Sequence, residues 1–232
     1  MIKGDALDAG LNPSILSFSK NHSITISATP ARFGLSELAI YEIGYNRNIK
    51  YCVAGINCSL FGFELYKELS LGLTFSKTVA TGLHTGININ YNSVTIKNYG
   101  SSGAMSLDAG LLYEISGRIS AAFSFTNISG AEIGGDRICQ TLNAGLGYKA
   151  LDELFLSIRI EKEKDFDASV YSGVDYKIIK RLSVRFGICA EPAMFFGGFG
   201  FGYSNMIFDY AFSFHSILGD THSFSIGMKF DE

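Results

Sequence analysis

The stretch MIFDYAFSFHSILGDTHSFSIGMKF, residues 206–230, alternates large apolar side chains with small or polar ones. In its first half, Phe208 and Phe212 fall on one face, and Asp209 and Ser213 fall on the other. Alternation of this kind over eight or more residues predicts β-strands with one apolar face and one polar face. The stretch therefore predicts two consecutive strands, and it sets the pattern with which the rest of the chain can be compared.

The same two-residue period recurs through nearly the whole chain. It delimits fourteen segments, at residues 23–29, 38–46, 51–60, 69–77, 85–93, 104–115, 118–127, 141–148, 154–163, 168–178, 182–190, 193–203, 206–216 and 221–230. Many of them have about ten residues, the length of a tilted strand that crosses a membrane. Helical periodicity is weak and confined to residues 5–18. We therefore predict an all-β, antiparallel, up-and-down barrel over residues 23–232, preceded by a short N-terminal segment, residues 1–22.

The overall composition narrows the possible classes of protein. The chain has 232 residues, of which 47% are hydrophobic and 18% charged, with a net charge of -3 and a mean hydropathy of +0.20. This balance argues against a nucleic-acid partner, which needs a basic surface, and against disorder, which needs low hydrophobicity and high charge. No run of 18 apolar residues offers a membrane helix. The chain is therefore either a membrane-spanning barrel or a soluble β-rich structural or binding domain.

The make-up of the two strand faces favours the membrane barrel. Ser, Thr, Gly and Asn dominate the polar face, whereas a solvent-exposed face normally carries many Lys and Glu residues. Aromatic residues recur near the ends of the apolar faces, as in an interfacial girdle; they are Tyr45, Tyr91, Tyr113, Tyr148, Tyr176, Tyr203 and Phe230. The soluble alternative has its best support in the first ten residues, which lack the apolar core of a signal peptide.

The lengths of the connections between strands also favour the membrane barrel. An even number of strands puts both termini on one side, where most connections are short and residues 77–84 are an exception. Longer connections, including residues 93–103 and 128–140, lie on the opposite side, as in outer-membrane barrels. Fourteen strands about 4.8 Å apart and tilted by about 40° form a cylinder roughly 28 Å wide, which wall side chains cannot fill. We therefore expect the first 20 or so residues to enter the lumen as a plug.

The sequence offers no catalytic or metal-binding pattern. Its four histidines are scattered, and no HExxH, CxxC or nucleophile-elbow motif occurs. We therefore predict a non-enzymatic protein without a metal or cofactor. The ionisable residues predicted to line the lumen are Arg159, Asp175, Lys177, Arg185 and Asp209. Arg159, Asp175 and Arg185 come from three successive strands and form the best candidate cluster, with salt bridges across the barrel wall as the structural alternative.

Several short motifs resemble a known family. They are GVDYK at 173–177, RLSVRFG at 181–187, GFGFG at 198–202, DYAF at 209–212, LGDTH at 218–222 and SIGMKF at 225–230. Their order resembles the C-terminal strands of PorV/PorQ-type outer-membrane proteins, which are relatives of the FadL long-chain fatty acid transporters. Asn12, Pro13 and Ser14 resemble the Asn-Pro-Ala motif in the N-terminal lumen segment of that superfamily, and Asn127 with Ile128 resembles its Asn-Leu-Gly turn. The resemblance implies fourteen strands and a place in the bacterial outer membrane.

The resemblance also implies two competing functions for a barrel surrounded by outer-membrane lipid. As in the FadL transporters, the lumen would bind or pass an apolar small molecule, which is the leading prediction. As PorV implies, the barrel would instead bind proteins of a type IX-like secretion system. Apolar residues in the lumen favour the first function, and Leu112, Phe155 and Phe196 are the predicted inward examples. An exposed apolar patch on the loop side would favour the second.

Overall fold

The computed structural model describes residues 4–230, and in this part of the chain fourteen strands close into one antiparallel barrel. Successive barrel strands pair with each other, and the first closes on the last through a ladder from His22 opposite Phe230 to Ala28 opposite Phe224. The barrel strands are β1 (His22–Thr29), β2 (Ile40–Ile49), β3 (Cys52–Phe63), β4 (Tyr66–Ala80), β5 (Leu83–Ile96), β6 (Gly100–Glu114), β7 (Ile119–Thr126), β10 (Thr141–Lys149), β11 (Leu154–Glu163), β12 (Ser169–Ile179), β13 (Leu182–Cys189), β14 (Met194–Tyr203), β15 (Met206–His215) and β16 (Gly219–Phe230), while β8 (Glu132–Ile133) and β9 (Asp136–Arg137) form a separate small sheet. The prediction of a fourteen-stranded barrel is confirmed.

The apolar faces of the strands point outward. Thr25 on the inner face of β1 is 8% exposed, whereas its neighbour Ile26 on the outer face is 53% exposed. The same contrast runs round the barrel; exposed outward side chains include Ile43, Leu73, Ile87, Leu111, Phe123, Leu146, Ile158, Val174, Phe186, Phe199, Phe214 and Phe224. An apolar belt of this extent is the lipid-facing surface of a membrane barrel. The alternative of a soluble domain with apolar faces packed inward is therefore wrong.

A stretch ahead of β1, residues 4–21, lies inside the barrel and is called the lumen segment below. It contains two short 3₁₀ turns, Asp8–Gly10 and Pro13–Phe18, which correspond to the weak helical signal in the sequence. Its Leu16 side chain is fully buried and forms a small apolar cluster with Val53 of β3. Between residues 4 and 230, no helix is both long enough and apolar enough to cross a membrane.

Two of the predicted connections are wrong. The loop predicted at residues 93–103 is a continuation of the β5–β6 hairpin, whose ladder runs on to Ile96 opposite Gly100. The pattern is lost there because β5 inverts it, with Ser93 and Thr95 on the outer face and Val94 and Ile96 on the inner face, and because residues 100–103 of β6 are all Gly or Ser. On the terminal side, the connection predicted at residues 77–84 shrinks to Thr81 and Gly82, because β4 continues to Ala80.

The connection between β7 and β10 carries the β8–β9 hairpin, which the sequence did not predict. Its strands have two residues each, too few to show a two-residue period, and the two glycines between them have positive φ angles of 63° and 96°. Asn127 holds the connection in place: its Oδ1 accepts a hydrogen bond from Ala131 N at 2.9 Å. The Asn127 backbone N–H donates to Asp108 Oδ1 at 2.8 Å, which fixes the connection to β6.

Candidate functional site

Glycines on one side of the lumen receive the lumen segment. A Cβ atom at Gly86 of β5 would overlap the backbone of Pro13, and a Cβ atom at Gly110 of β6 would overlap Asn12 Oδ1. Any other residue at these two positions would therefore push the segment off the wall. Gly86 and Gly110 thus form the surface on which the predicted plug motif, Asn12 to Ser14, packs.

Asn12, the first residue of that motif, ties the segment to the wall. Its Oδ1 accepts hydrogen bonds from Ser14 N at 3.0 Å and from Ser14 Oγ at 2.7 Å. Its Nδ2 donates to the backbone oxygen of Phe123 at 3.3 Å. Ser124 Oγ donates to the carbonyl oxygen of the residue before Asn12 at 2.8 Å. Because Asn12 and Ser14 are buried, each of these polar groups needs its partner.

A second anchor surrounds His84 at the start of β5. His84 Nδ1 lies 2.7 Å from Ser17 Oγ, and its ring centroid lies 4.2 Å from that of Phe18. Ser17 N also donates to Ser76 Oγ at 3.1 Å. On the other side of the ring, His84 Nε2 lies 3.5 Å from Glu114 Oε2. Sequence reasoning did not identify His84 as a site residue, because the sequence places it in the connection predicted at residues 77–84.

The opposite side of the lumen holds a cavity of about 670 Å³. Strands β10 to β15 supply most of its wall, and the lumen segment closes it on the remaining side. Its apolar and aromatic lining includes Leu11, Ile15, Leu112, Phe155, Tyr171 and Phe196. The three apolar residues that the sequence placed inward as exceptions, Leu112, Phe155 and Phe196, thus lie around a single cavity.

Arg185 of β13 lies between two carboxylates in the wall of this cavity. Its Nε is 3.2 Å from Asp175 Oδ2 on β12, and its Nη1 is 2.9 Å from Asp209 Oδ1 on β15. Asp175 faces Arg185 directly across the ladder, but Asp209 lies beyond the intervening strand β14. Gly200 of β14 makes that reach possible, because a Cβ atom there would overlap Asp209 Oδ1 and lie 2.9 Å from Arg185 Nη2. Three of the predicted lumen residues thus form one ion-pair cluster.

Arg159 belongs to a different cluster. Its Nη2 lies 3.5 Å from Glu161 Oε2, and its guanidinium carbon lies 4.2 Å from the centroid of the Tyr171 ring. The Tyr171 hydroxyl also donates to Glu161 Oε1 at 3.3 Å. The predicted cluster of Arg159, Asp175 and Arg185 is therefore divided: the structure joins Asp175 and Arg185 to Asp209, and it places Arg159 beside Glu161.

Two smaller cavities adjoin the large one. A cavity of about 420 Å³ is polar, and Asp5 and Asp8 of the lumen segment line it together with Arg185 and its two carboxylate partners. A cavity of about 260 Å³ lies near the short turns, and the predicted lumen residue Lys177 is part of its lining. In one of those turns, the hydrogen bond from Lys149 lowers the pKa of Asp152.

Among the residues described, no group of His, Cys, Asp and Glu side chains is arranged to hold a metal ion. No protein-family model matches the sequence, and no curated protein matches it. Solved structures do match the fold. The CymD monoaromatic hydrocarbon channel superposes with a TM-score of 0.70 at 13% identity, over 98% of this chain and 93% of that one.

Two further matches are similar in extent. The Pseudomonas putida toluene transporter TodX gives a TM-score of 0.66 at 10% identity, over 94% of this chain and 91% of that one. A Pseudomonas aeruginosa FadL homologue gives a TM-score of 0.67 at 11% identity, over 98% of this chain and 94% of that one. At these identities the likeness is one of fold. These neighbours share the closed antiparallel barrel that the sequence predicts.

Proposed function

We propose that this barrel lies in the bacterial outer membrane and takes a small apolar molecule into its lumen. The observation that carries the proposal is the cavity of about 670 Å³ between the lumen segment and strands β10 to β15. Ligand cavities usually span about 300–1,000 Å³ and are mostly apolar with a few polar groups, as this one is. Two of the structural neighbours are a monoaromatic hydrocarbon channel and a toluene transporter, and molecules of that class would fit among Phe155, Tyr171 and Phe196.

In this proposal the lumen segment is the plug that the sequence predicts. Its hydrogen bonds to Ser76, Phe123 and Ser124 hold it against the wall in the resting barrel. Because it also contributes Leu11 and Ile15 to the cavity, it serves both as a barrier across the lumen and as one wall of the binding site.

A second candidate is the predicted protein-binding role in a type IX-like secretion system. It has one supporting observation, which is that large apolar side chains stand exposed in three different loops on the side opposite the termini. Tyr99 is 89% exposed, Ile217 is 86% exposed and Phe166 is 65% exposed. Exposed apolar residues on loops are a common feature of protein-binding surfaces, and the link to PorV itself rests on the sequence resemblance alone.

Fluorescence quenching tests the leading proposal, because the chain has no Trp. A Phe196→Trp variant places a single reporter in the cavity, and a Phe195→Trp variant places one on the outer face of the same strand, where Phe195 is largely exposed. Both variants are titrated in lipid nanodiscs with 1-bromonaphthalene, an uncharged quencher. We expect saturable quenching of the inner reporter and gradual quenching of the outer one as the probe enters the lipid. Equal, unsaturable quenching of both reporters would contradict the proposal.

A further inference from the structure

We propose that the large cavity selects uncharged molecules against carboxylates, and that Asp175 and Asp209 set this selectivity by occupying Arg185. The proposal rests on the proposed function, because it names the class of ligand for the same cavity. Two arginines, Arg159 and Arg185, line the cavity. Each is the kind of group that would bind a carboxylate head if its own donors were available.

Each nitrogen of the Arg185 guanidinium already contacts a side chain of the barrel wall. Nε and Nη1 contact Asp175 and Asp209, and Nη2 lies 3.4 Å from Ser183 Oγ. All three nitrogens of the guanidinium therefore have an acceptor within the wall. With two carboxylates around one guanidinium, the cluster carries a net negative charge when all three groups are ionised.

Arg159 is engaged in a similar way. Glu161 neutralises its charge, and Tyr171 covers one face of the guanidinium and donates to the same carboxylate. A ligand carboxylate at Arg159 would lie close to the like charge of Glu161. Both arginines thus present paired, charge-compensated surfaces to the cavity.

The lumen segment strengthens the negative character next to Arg185. Asp5 and Asp8 line the adjoining polar cavity together with Asp175, Asp209 and Arg185. That side of the lumen therefore has four carboxylates around one guanidinium. An incoming anion would meet like charges at short range, and the partial burial of Asp175 and Asp209 weakens the screening of their charges by water.

These features give the two ligand classes different binding free energies. An uncharged molecule enters the apolar cavity without losing the hydration of a charge. A carboxylate loses its hydration and gains no unpaired cation in return. Discrimination arises here mainly from repulsion of the wrong ligand.

The test compares two quenchers of matched length, 10-bromodecan-1-ol and 10-bromodecanoate, at pH 8 in zwitterionic nanodiscs. In the Phe196→Trp background we expect the alcohol to reach half-maximal quenching at a concentration at least about tenfold lower than the carboxylate does, a difference of ~1.4 kcal/mol. The Phe195→Trp background measures how strongly each quencher enters the lipid and supplies the correction. A Phe155→Trp variant repeats the measurement from another wall of the cavity.

The decisive variant is the Asp175→Asn/Asp209→Asn double substitution, which keeps the shape of both side chains and removes the two negative charges that compensate Arg185. We expect carboxylate binding to strengthen at least about fivefold and alcohol binding to change little. Asp220→Asn is the matched control, because Asp220 is paired with His222 on the outer face of β16 and does not line the cavity. A folded barrel shows a heat-dependent gel shift. If the double variant lacks that shift, Asp209→Asn alone replaces it, and we expect it to strengthen carboxylate binding by an intermediate amount.

The outcomes separate the two proposals. Equal binding of alcohol and carboxylate to the original barrel, or an unchanged preference in the double variant, would overturn the selectivity proposal and leave the binding function standing. Absence of saturable quenching by the alcohol would overturn both proposals. A preference for the alcohol that narrows in the double variant and stays unchanged in Asp220→Asn would support the selectivity proposal directly.

Discussion

The two sides of the lumen use the same kind of wall residue for different purposes. Beside β5 and β6, the inward glycines Gly86 and Gly110 are covered by the lumen segment. Across the barrel, a Cβ atom at Gly145, Gly173 or Gly187 would meet only atoms of the barrel wall. Small inward residues therefore do not by themselves determine whether the lumen is closed. The path of the lumen segment determines it, because the segment fills one side of the lumen and leaves a cavity on the other.

The polar groups on the two sides of the lumen also differ in kind. On the closed side, the wall is tied together by uncharged amides and a buried carboxylate, as where Asn90 Nδ2 donates to Asp108 Oδ2 at 2.6 Å. On the open side, the polar groups are ion pairs at the edge of an apolar space, with Arg185 as their centre. The closed side thus resembles a satisfied protein interior, whereas the open side has the mixed character of a ligand site.

Filling the open side should have the largest effect on binding. Ala122 of β7 and Ser157 of β11 line the cavity, so the Ala122→Phe/Ser157→Phe double variant removes room that a ligand needs. We expect half-saturation by 1-bromonaphthalene, measured in the Phe196→Trp background, to rise more than about 30-fold, or ~2 kcal/mol. Ala121→Phe with Leu156→Phe adds the same side chains to the outer face of the same strands and should leave binding unchanged. Unchanged binding in the inner variant would show that the ligand site lies elsewhere.

A Gly→Val substitution should raise conductance on the closed side of the lumen and weaken probe binding on the open side. Gly86→Val forces a side chain into the backbone of Pro13, a strain of about 1–3 kcal/mol. This should shift the docking equilibrium of the lumen segment about 5- to 150-fold, and ion conductance across a planar bilayer should rise. Gly173→Val, on the open side, should weaken probe binding and leave conductance low. Equal conductance in both variants would mean that the lumen segment is not the barrier.

Removal of the Asn12 side chain should have a smaller effect on the same barrier. Asn12→Ala leaves the buried Ser14 N–H without its acceptor, at a cost of about 1–2 kcal/mol. We expect the open fraction of single-channel recordings to rise about tenfold. Asn92→Ala is the control, because the side-chain hydrogen bonds of Asn92 within the described residues go to Ser70 and Ser106 of the wall. An equal rise in the control would point to general loosening of the barrel.

Much of the barrel is predictable from the sequence because a two-residue period is a local property of each strand. It holds where one strand face meets lipid and the other meets the lumen, as for Phe208 and Asp209. It fails beyond the apolar belt, as at Thr95, where the polar residue lies on the outer face, and at Ser101, where residues of both faces are Gly or Ser. The β8–β9 hairpin is too short to carry the period at all.

The candidate site is less predictable, because its contacts depend on strand register and on the lumen segment. Strand parity indicated that Arg185, Asp175 and Asp209 point inward, but it could not show that Gly200 lets Arg185 reach across a strand. Nor could it show that Arg159 turns to Glu161 and Tyr171. The role of His84 depends on where Ser17 and Phe18 lie after the segment has entered the lumen.

The smallest predicted effect concerns the contact between His84 and Glu114. Their closest atoms are 3.5 Å apart, and the Glu114 side chain is about half exposed, so screening by water limits the interaction to well under about 1 kcal/mol. Glu114→Gln should therefore change the open fraction less than about twofold, whereas His84→Leu, which removes the hydrogen bond to Ser17, should change it more. If Glu114→Gln opened the barrel as readily as Asn12→Ala, charge at the rim would hold the segment. Electrostatic attraction, and not buried hydrogen bonds, would then hold the lumen segment on the closed side.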